Sequence, residues 1–135
     1  MAKESKILST PSHDHEMPVE LTANHMVRQG YTRVRASHTN RFTACDQIGE
    51  YIPDVTAFYG NAGVVAEAES RDGLVQAHTE AQWKTFYGHV NRVGGHFIAV
   101  VNKSDEVAAR SLLTRVCGSA SNVRLWTCFR FSVSP

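Results

Sequence analysis

One segment constrains this chain more than any other. His96 to Asn102 (HFIAVVN) is apolar at five consecutive positions, and an amphipathic stretch lies on either side of it. A strand with one wet face alternates polar and apolar residues. A run without alternation fits a strand covered on both faces, the condition of a parallel sheet that carries helices. The flanks agree. Residues 77–93 place Trp83, Phe86, Tyr87, Val90 and Val93 on one helical stripe, and Gly94-Gly95 ends it. Ser104 is placed to N-cap the next helix, with Asp105 and Glu106 in its first turn and an end near Gly118. The strand 64–69 is followed by a helix and then by strand 96–102, so the two should lie parallel through a right-handed crossover.

The rest of the chain fits that frame. Residues 1–16 read as a disordered N-terminal tail, His13-Asp14-His15-Glu16 included, and 17–135 as a single domain. Pro18 opens a helix over 18–29 that Gly30 stops, with Val19, Ala23, Met26 and Val27 toward a core. Tyr31 to Ala36 reads as a strand and the polar stretch from Ser37 to Gly49 as a long loop. Asp54 to Tyr59 and Val64 to Glu69 are strands joined by a Gly60–Gly63 turn, and Val123 to Phe131 is a last strand. The order α-β-β-β-α-β-α-β indicates an α/β fold, a mixed central β-sheet flanked by helices.

Composition excludes several classes. At 135 residues, 42% hydrophobic and 20% charged, the chain can build one core without staples. Its longest apolar run is far short of the roughly 20 residues that span a bilayer, so no membrane partner is expected. The N-terminus lacks the apolar stretch of a secretory signal. Three cysteines without CxxC spacing fit a reduced, cytoplasmic protein. A net charge of +1 gives no broad basic footprint, so contact with nucleic acid would have to come from local placement.

One constellation carries chemistry. Glu67 and Glu69 lie two apart on a strand and share a face. If Tyr59 pairs with Val64 across a four-residue turn, Thr56 faces Glu67 and Asp54 faces Glu69, which puts three carboxylates on one side. Like charges so placed repel. Either neighbouring Arg or Lys side chains or a bound cation would relieve them, and hard oxygen ligands suit Mg²⁺ or Mn²⁺.

Ile52-Pro53-Asp54-Val55, the glycine turn and Val64-Val65-Ala66-Glu67-Ala68-Glu69 together resemble the PD-(D/E)XK nuclease superfamily, the restriction-endonuclease-like fold. The α-β-β-β-α-β order is similar to that fold's core, over residues 18 to about 131. The resemblance implies a Mg²⁺- or Mn²⁺-dependent nuclease that hydrolyses phosphodiester bonds in nucleic acid, DNA in preference to RNA, with a homodimer natural for duplex work. Asp54, Glu67 and the Ala68 carbonyl would hold the metal. Glu20 falls where many members carry a helical glutamate, although a first-turn acid favoured by the helix dipole accounts for it as well. The triplet departs from the pattern: Glu69 stands where the family has Lys and cannot supply its positive charge. Glu69, Gln82 or Lys84 would then orient the attacking water. The departure also admits a catalytically inactive nucleic-acid-binding or protein-interaction module on the same fold.

Arg33, Arg35, Asn40 and Arg41, with His38 and Phe42, are the candidates for phosphate contact. Trp83 and Trp126 read as core residues. No HxxxH or HExxH pair suggests zinc, and no glycine-rich phosphate loop occurs.

Overall fold

The computed structural model describes residues 11–129 and 132–134. The chain runs α1 (Pro11–Arg28), β1 (Thr32–Ala36), β2 (Val55–Tyr59), β3 (Ala62–Glu69), α2 (Ala77–Val93), β4 (His96–Asn102), α3 (Glu106–Cys117), β5 (Val123–Phe129) and β6 (Ser132–Ser134). Short 3₁₀ turns at Gly73–Val75 and Lys103–Asp105 precede α2 and α3. Among the described residues the strands form one sheet in the order β1-β2-β3-β4-β5-β6. The first three are an antiparallel meander, β3, β4 and β5 are parallel, and β6 returns antiparallel. The fold is thus the expected α/β arrangement, a mixed sheet between helices.

Sheet order dictates the layers. Two right-handed crossovers that advance the same way put their helices on the same face. Val65, Phe97, Ala99 and Val101 accordingly pack with Trp83 and Phe86 of α2 and with Leu112 of α3. α1 takes the other face, where Val19, Ala23 and Met26 meet Val55, Ala66 and Val100. β4 therefore feeds alternate residues into both cores, which is why its sequence does not alternate. Trp83 and Trp126 are both buried, one in each core.

Several boundaries differ from the sequence reading. Residues 1–10 of the expected tail lie outside the described residues, whereas 11–16 belong to α1. Both Pro11 and Pro18 suit a first helical turn; the helix begins at the first and carries the second inside it. Val27 and Val93 are exposed, while Met26 and Val90 in the same last turns of their helices are buried. Ser104 lies inside a 3₁₀ turn instead of capping α3, and Asn102 is the residue whose side chain accepts the Ser104 N–H at 3.3 Å. The last strand stops at Phe129, Arg130 and Phe131 are outside the described residues, and β6 follows, too short to leave a periodic trace.

The hairpin differs most usefully. Tyr59 pairs with Ala62 across Gly60-Asn61, not with Val64 across four residues. Gly60 has φ +60°, which glycine adopts without strain, and a two-residue loop matches the twist of the flanking strands. The register moves by two, an even number, so each side chain keeps its face. At the same end of the sheet β3 and β4 press together: a Cβ on Gly95 would stand 1.9 Å from the Gly63 carbonyl oxygen.

Candidate functional site

Continuing the observed register one step beyond Val55–Ala66 sets Asp54 opposite Glu67. Hydrogen bonds fix the arrangement. The Asp54 N–H donates to Glu67 Oε2 at 2.7 Å, and the Ala68 N–H donates to Asp54 Oδ2 at 2.9 Å. Each carboxylate thus accepts a main-chain donor from the other segment. Both residues are buried, at 4% and 3% exposure. Burial pushes the Glu67 carboxyl well above the usual range, and the neighbouring Asp54 charge pushes the same way. The Asp54 N–H opposes that shift, while Glu69 and Cys45 add to it more weakly.

Glu69 shares the face but turns elsewhere. The Thr79 hydroxyl of α2 donates to its Oε1 at 3.5 Å and the Ser70 N–H to its Oε2 at 3.3 Å. Its carboxylate fills the space over Gly73, where a Cβ would stand 1.8 Å from Oε2. The expected trio is therefore a tight pair with a third acid leaning on the start of α2. Among the described residues, no group of three or more His, Cys, Asp or Glu side chains is arranged to hold a metal ion.

The loop after β1 closes over the pair. The Ser37 N–H donates to the Asp54 carbonyl at 2.9 Å, and Ser37 Oγ accepts the Cys45 N–H at 3.1 Å. Thr39 donates its hydroxyl to Glu20 Oε2, and Arg41 Nε lies 3.6 Å from Glu20 Oε1. Between these anchors His38 has φ +64°, a left-handed conformation few non-glycine residues adopt. Its Nε2 stands 3.9 Å from Asp54 Oδ1. Glu20 thus holds the loop. Its placement depends on a helix meeting a distant segment, which no local spacing encodes.

The remaining candidates do not gather at the acids. Lys84 extends along α2 to Glu80, 3.4 Å away, and Gln82 is half-buried on the same helix. Arg35 pairs with Asp46 at 3.3 Å. Arg33 lies over the Phe58 ring at 5.7 Å, and Asn40 is exposed. Simple alternation would align Arg33 with Arg35. The pairing of β1 with β2 is irregular between Thr32 and Arg35, and Arg33 has φ +52°. Sequence reading passed over Arg71, whose Nε donates to the buried Asp105 at 2.7 Å. Its only signal was a position two residues past Glu69.

Compared with family models, with curated proteins and with solved structures, the chain matches none. Among the described residues no helix is long and apolar enough to cross a membrane.

Proposed function

We propose that the Asp54–Glu67 pair is the centre of a divalent-cation-dependent nuclease that hydrolyses phosphodiester bonds, DNA in preference to RNA. The observation that carries this reading is two carboxylates buried side by side, with Glu67 hard to ionise next to Asp54. Buried charges of one sign are costly unless paired, and a hard dication is a suitable partner for an all-oxygen donor set. Mg²⁺ or Mn²⁺ would be held by Asp54 and Glu67, with the Ala68 carbonyl third. When bound, such an ion polarises phosphoryl oxygens and lowers the pKa of water. The chain's own residues do the rest. The crossed main-chain bonds hold both carboxylates in place, and the anchored loop positions His38 beside Asp54. Glu69, on the same face of β3 as Glu67 and with its orientation set by Thr79, would serve as the proton acceptor. Free thiols among the described residues suit a cytoplasmic setting, and a homodimer would let two such sites address a duplex.

A second reading, a catalytically inactive nucleic-acid-binding or protein-interaction module, is favoured by the engagement of Lys84 with Glu80 and of Glu69 with Thr79. Calorimetry with Mn²⁺ and Mg²⁺ on the wild type and on Asp54→Asn separates the two. Binding that the variant loses, with Mn²⁺-dependent cleavage of a linear duplex, supports the nuclease. Absence of ion binding, with and without a short duplex present, supports the inactive module.

A further inference from the structure

The α1 face is covered by one helix where the other face has two. Next to the end of α1 this leaves a cavity of about 460 Å³, within the range of small-molecule sites, roughly 300–1,000 Å³. Val64 of β3, Ile98 of β4 and Trp126 of β5 contribute to its lining. The cavity lies on the opposite face of β3 from Glu67 and about 10 Å along the strand from it. It is therefore independent of the acidic pair.

Its walls are aromatic and mutually braced. Tyr31 packs against Tyr59 with ring centroids 4.8 Å apart, and edge-on against Trp126 at 6.3 Å. His25 meets Trp126 edge-on at 5.2 Å. Burial and the nearby Arg28 push the His25 imidazole below its ordinary pKa, so at neutral pH it presents an uncharged ring. The cationic side is Arg124. Its Nη1 donates to the carbonyls of Ser121 and Val123 at 2.6 and 3.1 Å, which fixes the guanidinium fork to its own turn. Among the described residues lining the cavity none is acidic.

Flat rings with polar tips bind planar aromatic groups by stacking and edge contacts. A preorganised guanidinium binds phosphate or carboxylate through paired donors. The absence of lining carboxylates removes the repulsion that would exclude an anion. We propose that this cavity binds a planar aromatic ring bearing an anionic group, the chemistry of a nucleoside monophosphate, with the ring among Tyr31, Tyr59 and Trp126 and the anion at Arg124. A free nucleotide and the phosphorylated end of a nucleic-acid strand share that chemistry.

The test is titration of the whole protein with 5′-AMP, followed by calorimetry and tryptophan fluorescence. Saturable binding is expected, with quenching that Trp126→Phe removes, since the other tryptophan is buried on the far face. Arg124→Gln should weaken binding about tenfold or more, the worth of a charge-assisted hydrogen bond, and adenosine should bind weaker by a similar factor. Tyr59→Ala, at a side chain already 57% exposed, should weaken binding while leaving the melting temperature near that of wild type. Asp54→Asn should bind as wild type does, which separates this site from the proposed nuclease centre. A 5′-phosphorylated oligonucleotide that binds where AMP does not would identify a strand end as the source. AMP that binds where the oligonucleotide does not would identify the free nucleotide. No saturable binding of either up to about 10 mM overturns the proposal. So does binding that Arg124→Gln and Tyr59→Ala leave unchanged.

Discussion

Asp54 acts on Glu67 in two opposite ways. Its main-chain N–H, 2.7 Å from Glu67 Oε2, favours the ionised carboxylate, and its side-chain charge opposes it. Burial tips the balance toward the protonated form. The result is a glutamate that holds its proton longer in the folded protein than in the unfolded chain.

That difference sets a sign for pH dependence. Between the unfolded and native pKa values of Glu67 the native state binds more protons, so its stability falls as pH rises through that window. Glu67→Gln removes this contribution, and its amide oxygen can still accept the Asp54 N–H. The variant should match wild type near pH 4 and melt at a higher temperature by pH 8. Thermal melts across that range would show it, and a variant that melts lower at pH 8 would refute the cost assigned to the buried charge. Mn²⁺ should raise the wild-type melting temperature at pH 8 and raise that of the variant less.

Two glycines should respond differently to the same methyl group. At Gly95 the added Cβ meets the main-chain oxygen of Gly63, which cannot move without separating β3 from β4. Gly95→Ala should therefore cost about 2–3 kcal/mol in urea unfolding. At Gly73 the obstacle is the end of the Glu69 side chain, which can swing away. Gly73→Ala should cost under about 1 kcal/mol. Combined with Glu69→Ala, it should lose most of that cost, a coupling that a double-mutant cycle reads directly.

The thiols should be quiet until the protein unfolds. Burial pushes Cys117 up to about 11 and also raises Cys128, while Cys45 is itself buried. At pH 8 about one part in a thousand of Cys117 is thiolate, against roughly a quarter for a free cysteine. Ellman's reagent should label the native protein at least about 100-fold more slowly than the guanidinium-unfolded chain, where all three cysteines react. Rapid labelling of Cys117 in the native state would contradict its placement.

What the sequence disclosed follows from what leaves a local trace. Burial on both faces erased alternation in His96–Asn102, and with the helical stretches on either side that marks β4 as a strand inside a parallel sheet. The helical stripe through Trp83, Phe86 and Val90 marked the face of α2 that packs on it. The turn was harder. Gly60-Asn61-Ala62-Gly63 offers a two-residue or a four-residue loop, and both give the same alternation. Glu69 bonding Thr79, and Glu20 bonding Thr39, depend on where a helix lands against a strand end or a loop. The left-handed backbone at His38 is imposed by anchors on both of its neighbours, and histidine itself does not announce it.

The bend at Gly60-Asn61 has a consequence for how this chain can vary. A slip of β3 by two residues, which takes Ala62 and Gly63 into a four-residue loop, would move β2 against β3 by one pleat and bring Asp54 opposite Glu69 in place of Glu67. Because the two glutamates are spaced by two, an acid would still meet an acid. A slip by a single residue would instead turn Asp54 toward the side of Ala66 and Ala68, unless a bulge absorbed it. The bend can thus take two residues or four without parting the acids, and the Glu-Ala-Glu repeat serves as a spare notch in the ratchet.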